Sequence, residues 1–143
     1  YMGDTGLLVS LAFNENEIME QQLYKQIMDE RLSLNQGMIY ENMISQMIVA
    51  MGKKLYFYTR YSEEKHRNDI EIDFLLSNES KMNFKMYPFE VKSSKNYSAI
   101  SLGRFREIYG KKIAVPYIIH PKNYYKDGDI VKIPPYMFPF VFD

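Results

Sequence analysis

Glu71-Ile72-Asp73-Phe74-Leu75-Leu76 and, after a polar stretch, Met86-Tyr87-Pro88-Phe89-Glu90-Val91-Lys92 are the two runs on which the fold turns. Both alternate with a period of two, the spacing of a β-strand whose successive side chains leave opposite faces. Strands are therefore expected over Ile70–Leu76 and Lys85–Lys92. In the first, Glu71, Asp73 and Leu75 share a face, opposite Ile70, Ile72, Phe74 and Leu76. In the second, Met86, Pro88, Glu90 and Lys92 share a face, opposite Tyr87, Phe89 and Val91. Paired as a hairpin-like unit, the strands would bring Asp73, Glu90 and Lys92 to one surface.

Upstream of these strands the period is helical. Met38 to Met51 reads as a helix ended by Gly52 at a C-cap position. Its inner stripe holds Glu41, Ile44, Ile48 and Met51, which turns Glu41 toward the sheet. Asp4-Thr5-Gly6 reads as a turn into a short apolar helix through Leu11, and Ile18 to Leu34 as a further helix broken at Asn35-Gln36-Gly37. Leu55–Thr59 reads as a strand and Arg60–Asp69 as a charged loop. Downstream, Ser101–Tyr109 reads as a helix and Lys112–Ile119 as a buried strand. Asp127-Gly128 is a hairpin-type turn, Asp129–Ile133 a last strand, and the tail from Pro134 is aromatic and proline-rich. The order of elements predicts an α/β (α+β) fold with a mixed central sheet flanked by helices.

The bulk composition suits one core. The chain has 143 residues, 46% of them hydrophobic, with 13 Tyr and 9 Phe, and it is expected to form a single domain over 1–143. It has no cysteine, which excludes disulfides and thiolate chemistry. No run approaches the ~18 apolar residues of a membrane span, and no basic leader precedes an apolar segment, so a cytoplasmic location is expected. Formal net charge is zero. A domain that grips nucleic acid alone is usually basic, so any such contact must be local. One local candidate exists: Lys92, Lys95, Arg104, Arg106, Lys111 and Lys112 are opposed over that span only by Glu107. The ordinary reading of such a run is a solvated face.

Glu41, Asp73, Glu90 and Lys92 are the residues with chemistry to offer. A carboxylate on an apolar stripe is costly unless it is paired or metal-bound. Hard divalent ions take oxygen ligands and pair one or two carboxylates with substrate phosphate. Such an ion lowers the pKa of water and neutralises charge on phosphate, and a lysine beside it can stabilise the developing charge. Each residue also has a plain alternative. Glu90 and Lys92 could be a surface ion pair worth at most about 1 kcal/mol, and Asp73 a solvated strand residue. Tyr56, Phe57, Tyr58 and Tyr61 could stack bases, with packing the commoner role. His66 reads as a solvated loop residue and His120 as a strand-end residue; neither has metal-ligand spacing to a second histidine.

A helix acid, then an Asp inside an apolar strand, then Glu-x-Lys in the next strand resembles the PD-(D/E)xK nuclease superfamily. The matching residues are Glu41, Asp73 and Glu90-Val91-Lys92, with Ile72 standing where a proline is usual. The segments Asp4-Thr5-Gly6-Leu7-Leu8, Gly37-Met38-Ile39-Tyr40-Glu41-Asn42, Glu71-Ile72-Asp73-Phe74-Leu75 and Phe89-Glu90-Val91-Lys92-Ser93 are similar to the uncharacterised C-terminal domain of a family of prokaryotic AAA-type ATPases. These resemblances imply a restriction-endonuclease-like sheet and a chain that is the C-terminal fragment of a longer ATPase, whose N-terminal domain is then a partner. They also imply a catalytic set of Glu41, Asp73, Glu90 and Lys92 with a Mg2+ or Mn2+ site on Asp73, Glu90 and Glu41; from the basic run, Lys95 and Arg104 are expected to hold DNA phosphates. No phosphate-binding G-x-x-x-x-G-K-[ST] loop is present. Gly52-Lys53-Lys54 and Gly110-Lys111-Lys112 read as helix ends with basic caps.

Overall fold

The computed structural model describes residues 1–4, 6–7, 36–77, 84–94 and 96–142. The expected helix over 18–34, most of the short helix after Gly6, and Lys95 lie outside the described residues. Two α-helices and seven strands are described: α1 (Gln36–Ala50), β1 (Tyr58–Ser62), β2 (Arg67–Ile72), β3 (Phe74–Ser77), β4 (Met86–Val91), α2 (Ile100–Tyr109), β5 (Tyr117–Ile119), β6 (Tyr125–Asp127) and β7 (Ile130–Ile133). β1 and β2 form an antiparallel ribbon, and β3-β4-β5-β7-β6 form a mixed sheet. β4 runs antiparallel to β3 and parallel to β5, and β5 runs parallel to β7. The fold is α+β.

Alternation along the strands divides the interior into two cores. Phe89 and Val91 of β4, Ile119 of β5 and Ile133 of β7 pack with Phe74 and Leu76 against Ile44 and Ile48 of α1. On the other face, Ile118, Ile70 and Ile72 pack with Ile113 against Leu102 and Phe105 of α2. Glu90 points to this second side, by the same alternation that sends Phe89 and Val91 to the first.

α1 ends as its sequence requires. Gly52 takes φ +71°, its N–H donates to Val49 O, and Lys53 N–H donates to Ile48 O, the paired bonds of a Schellman cap. α2 does not end this way: Gly110 keeps right-handed φ and ψ, and the chain continues as a 3-10 turn over Gly110–Lys112. Gly128 takes φ +59° in the two-residue β6–β7 hairpin. Gly128→Ala is expected to lower stability by about 1 kcal/mol, the cost of a β-carbon in the left-handed region, read as a lower urea midpoint at constant slope.

Four strand expectations change. The run Ile70–Leu76 is not one strand: it breaks at Asp73 into β2, which pairs with β1, and β3, which pairs with β4. Ile72 and Phe74 consequently enter different cores. The charged loop over Arg60–Asp69 is largely a hairpin, with β1 beginning at Tyr58 rather than Leu55. Only Tyr117–Ile119 of Lys112–Ile119 is a strand. Ile113 and Ala114 make a short bridge to Met86, and Pro116, lacking an N–H, cannot extend that ladder. β6 was not expected. The tail folds into a 3-10 segment, Pro135–Phe142, whose Phe138 is fully buried in the α1-side core.

The aromatic run near β1 departs from ordinary packing. Tyr56, Phe57 and Tyr61 are exposed. Only Tyr58 packs, with its ring 5.0 Å from Phe105 and its hydroxyl 3.1 Å from that of Tyr109.

Candidate functional site

The break at Asp73 is also where the site forms. β3 and β4 pair Phe74 with Phe89, so one step further Asp73 stands opposite Glu90. Directly opposed residues of an antiparallel pair share a face. The ladder does not continue there by backbone alone, because Asp73 Oδ2 accepts the Val91 N–H at 2.7 Å. A side-chain carboxylate takes the place of a main-chain acceptor, and it is held there by the same strand that carries Glu90.

Glu90 is 1% exposed. Lys92, two residues on and on the same face, puts Nζ 3.1 Å from Glu90 Oε2. That contact is an ion pair, and among the described residues neither Glu90 oxygen has a partner in good hydrogen-bond geometry. Burial pushes the Glu90 carboxyl above the usual carboxylate range, and Asp73 adds to this. The Lys92 charge and the Leu102 N–H in the first turn of α2 act the other way. Burial likewise raises Asp73, opposed by the Val91 N–H and Lys92.

Glu41 approaches from α1. Burial raises its carboxyl, and the charge of Asp73 raises it further, while Lys92 and a hydrogen bond from Tyr1 lower it. Asp73 and Lys92 thus act electrostatically on both Glu41 and Glu90, whereas Glu41 comes from α1, which packs on the face of β4 opposite Glu90. Among the described residues, however, no three His, Asp or Glu side chains gather closely enough to hold one metal ion. The close acidic element is the opposed pair Asp73 and Glu90.

Tyr1 is a member that sequence reasoning missed. Its hydroxyl donates to Glu41 Oε2 at 3.5 Å and its ring lies 5.3 Å from Phe74. The Met2 N–H donates to Asn42 Oδ1 at 2.8 Å, and Gln46 Nε2 donates to Met2 O at 3.3 Å, so the segment is strapped along α1. Burial and the charges of Glu41 and Asp73 push the Tyr1 phenol up to about 12. No local signal announces a contact across forty positions. Of the two residues expected to face nucleic acid, Lys95 lies outside the described residues. Arg104 is half-buried and donates through Nη1 to the Asp69 carbonyl at 2.9 Å. Its guanidinium therefore already ties α2 to β2.

A family model described as a domain of unknown function (DUF4143) matches residues 36–137. No curated protein and no solved structure matches the chain. No helix among the described residues is long and apolar enough to cross a membrane.

Proposed function

From the premise that the chain belongs to this family of domains of unknown function (DUF4143), we propose that it is a nuclease-like domain hydrolysing phosphodiesters of DNA with Mg2+ or Mn2+. The observation that carries this reading is the opposition of Asp73 and Glu90 across β3 and β4, with Lys92 on Glu90. The donor set suits a hard divalent ion, which needs only one or two carboxylates beside substrate phosphate. Among the described residues, the two buried Glu90 oxygens have no partner in good hydrogen-bond geometry, and Asp73 gives one oxygen to the Val91 N–H.

Asp73 and Glu90 would hold the ion, and Glu41, held by Tyr1, would complete the set or bind its waters. When bound, the ion contributes Lewis acidity toward water and the phosphoryl oxygens. Lys92 is placed to orient the attacking water and to stabilise charge developing on the phosphate. The buried setting of Glu90 keeps bulk water from weakening these interactions. In this reading the domain is cytoplasmic, has a restriction-endonuclease-like sheet of the PD-(D/E)xK kind, and serves the N-terminal ATPase domain of a longer AAA-type chain.

A second reading is a catalytically silent module that recognises DNA or a protein for the ATPase. Zero net charge favours it, as does the lack of a three-carboxylate group among the described residues. One experiment separates the two. Plasmid and linear DNA are incubated with the chain, with magnesium, with manganese and with chelator. The nuclease reading expects cleavage only with metal, together with a raised melting temperature at millimolar metal through mass action. DNA binding should weaken steeply with salt, and Lys95→Ala should flatten that slope. Absence of both cleavage and thermal shift leaves the recognition module.

A further inference from the structure

Among the described residues, two side chains keep buried polar atoms without a hydrogen-bond partner: Glu90, through its carboxylate oxygens, and His120, through Nε2. His120 is 2% exposed. Its Nδ1 accepts the Lys122 N–H at 2.9 Å, so the proton of the neutral ring is on Nε2. Burial, then the charges of Lys122 and Lys132, hold the imidazole below its ordinary range and keep it in that neutral form. A buried N–H with no acceptor costs about 1–3 kcal/mol and calls for an oxygen that the described residues do not provide.

The position of His120 says which oxygen. Lys92 N–H donates to Ile119 O at 2.8 Å and His120 N–H donates to Ile133 O at 3.0 Å. Both bonds extend the parallel ladders of β4, β5 and β7 by one residue, which makes Lys92 and His120 neighbours at the carboxyl ends of those strands. Open sheets bind ligands at that end of their parallel strands. By alternation both residues lie on the α2 side with Glu90. Tyr97, half-buried in the crossover to α2, has its ring 5.9 Å from that of His120 and 5.6 Å from Lys132 Nζ. From β3 to β7 the strip runs Asp73, Glu90, Lys92, His120, Lys132. It passes from carboxylates to cations and N–H donors.

We propose that His120 is a further binding residue of the site, its Nε2–H and the Lys92 ammonium together holding a non-bridging oxygen of the phosphodiester. The proposal rests on the phosphodiester reading of the acidic pair. It adds a donor end to that pair: carboxylates for the ion, Lys92 and His120 for the phosphate oxygen.

The test uses the 143-residue chain and inorganic phosphate as the probe, with and without magnesium. The chain has two histidines, so in His66→Gln every imidazole resonance belongs to His120. Phosphate should move its Nε2 and Hε2 resonances saturably. His120→Phe keeps a planar ring and removes the donor, and should weaken phosphate binding about tenfold or more, the range of a hydrogen bond to a charged group. His120→Gln retains an N–H donor at similar reach and should keep most of the affinity. Unmoved His120 resonances, or equal phosphate affinity in wild type and His120→Phe, would overturn the proposal whether or not DNA is cleaved. Saturable binding through His120 without metal-dependent cleavage would support the anion site and remove the hydrolytic reading instead. Should His120→Phe fail to fold, the His66→Gln titration alone decides.

Discussion

If the domain hydrolyses DNA as proposed, Asp73→Asn is expected to abolish the metal-dependent cleavage while the domain stays folded. Asparagine keeps an oxygen able to accept the Val91 N–H, so the junction of β3 and β4 survives, and only the charge is removed. Loss of a partner that merely orients a metal ligand costs 10–100-fold, so losing a ligand itself should lower cleavage by at least about 100-fold. Magnesium affinity should fall with it. Lys92→Ala should lower cleavage by a comparable factor, roughly 100-fold or more, but leave metal affinity largely intact, because the ammonium is no ligand. Cleavage rates and a calorimetric magnesium titration on each variant, with circular dichroism as the folding check, separate these outcomes. Cleavage that survives Asp73→Asn undiminished would place the activity elsewhere.

The second large effect concerns stability, and it has the opposite sign for the two partners of one ion pair. Lys92→Ala leaves the Glu90 carboxylate buried and unpaired, which should cost about 2–3 kcal/mol. This is below the 3–5 of a fully buried pair because the Lys92 side chain is 28% exposed. Glu90→Gln removes the buried charge and should stabilise the metal-free domain by about 1–2 kcal/mol. In the Glu90→Gln background, Lys92→Ala should be nearly neutral, and that coupling is the diagnostic measurement.

The same burial sets a pH dependence. Asp73, Glu90 and Glu41 all have carboxyls raised by burial, so the folded state binds protons that the unfolded state has released. Their contribution is fully present below the ordinary carboxylate pKa of about 4 and is lost as pH rises through the raised folded values. Metal-free stability should therefore decline as pH rises from about 4 through the raised folded values. The thermal shift produced by magnesium should be larger at pH 7 than at pH 5, since protons compete with the ion for the same oxygens. Urea midpoints across that range, with and without magnesium, measure both.

Features that depend on neighbours along the chain were legible in the residues alone. Period-two alternation assigned Phe89 and Val91 to one side of β4 and Glu90 to the other. A helical stripe turned Glu41 inward with Ile44 and Ile48, Gly52 ended α1, and Asp127-Gly128 made the last hairpin. Those local rules also put Glu90 and Lys92 on one face, since two residues on one strand need no tertiary information to be neighbours. The relation between strands is different in kind. It was the fold that set Asp73 opposite Glu90, because register is decided by which ladder closes. Here the ladder closes through a carboxylate capturing the Val91 N–H, which splits the expected strand Ile70–Leu76 and sends Ile72 and Phe74 to different cores. Chain packing puts Tyr1 on Glu41, spends Arg104 on the Asp69 carbonyl, and buries His120 with one nitrogen satisfied and the other without a partner among the described residues. Each of these is a contact between distant segments or a matter of burial, and both arise from packing that no local pattern encodes.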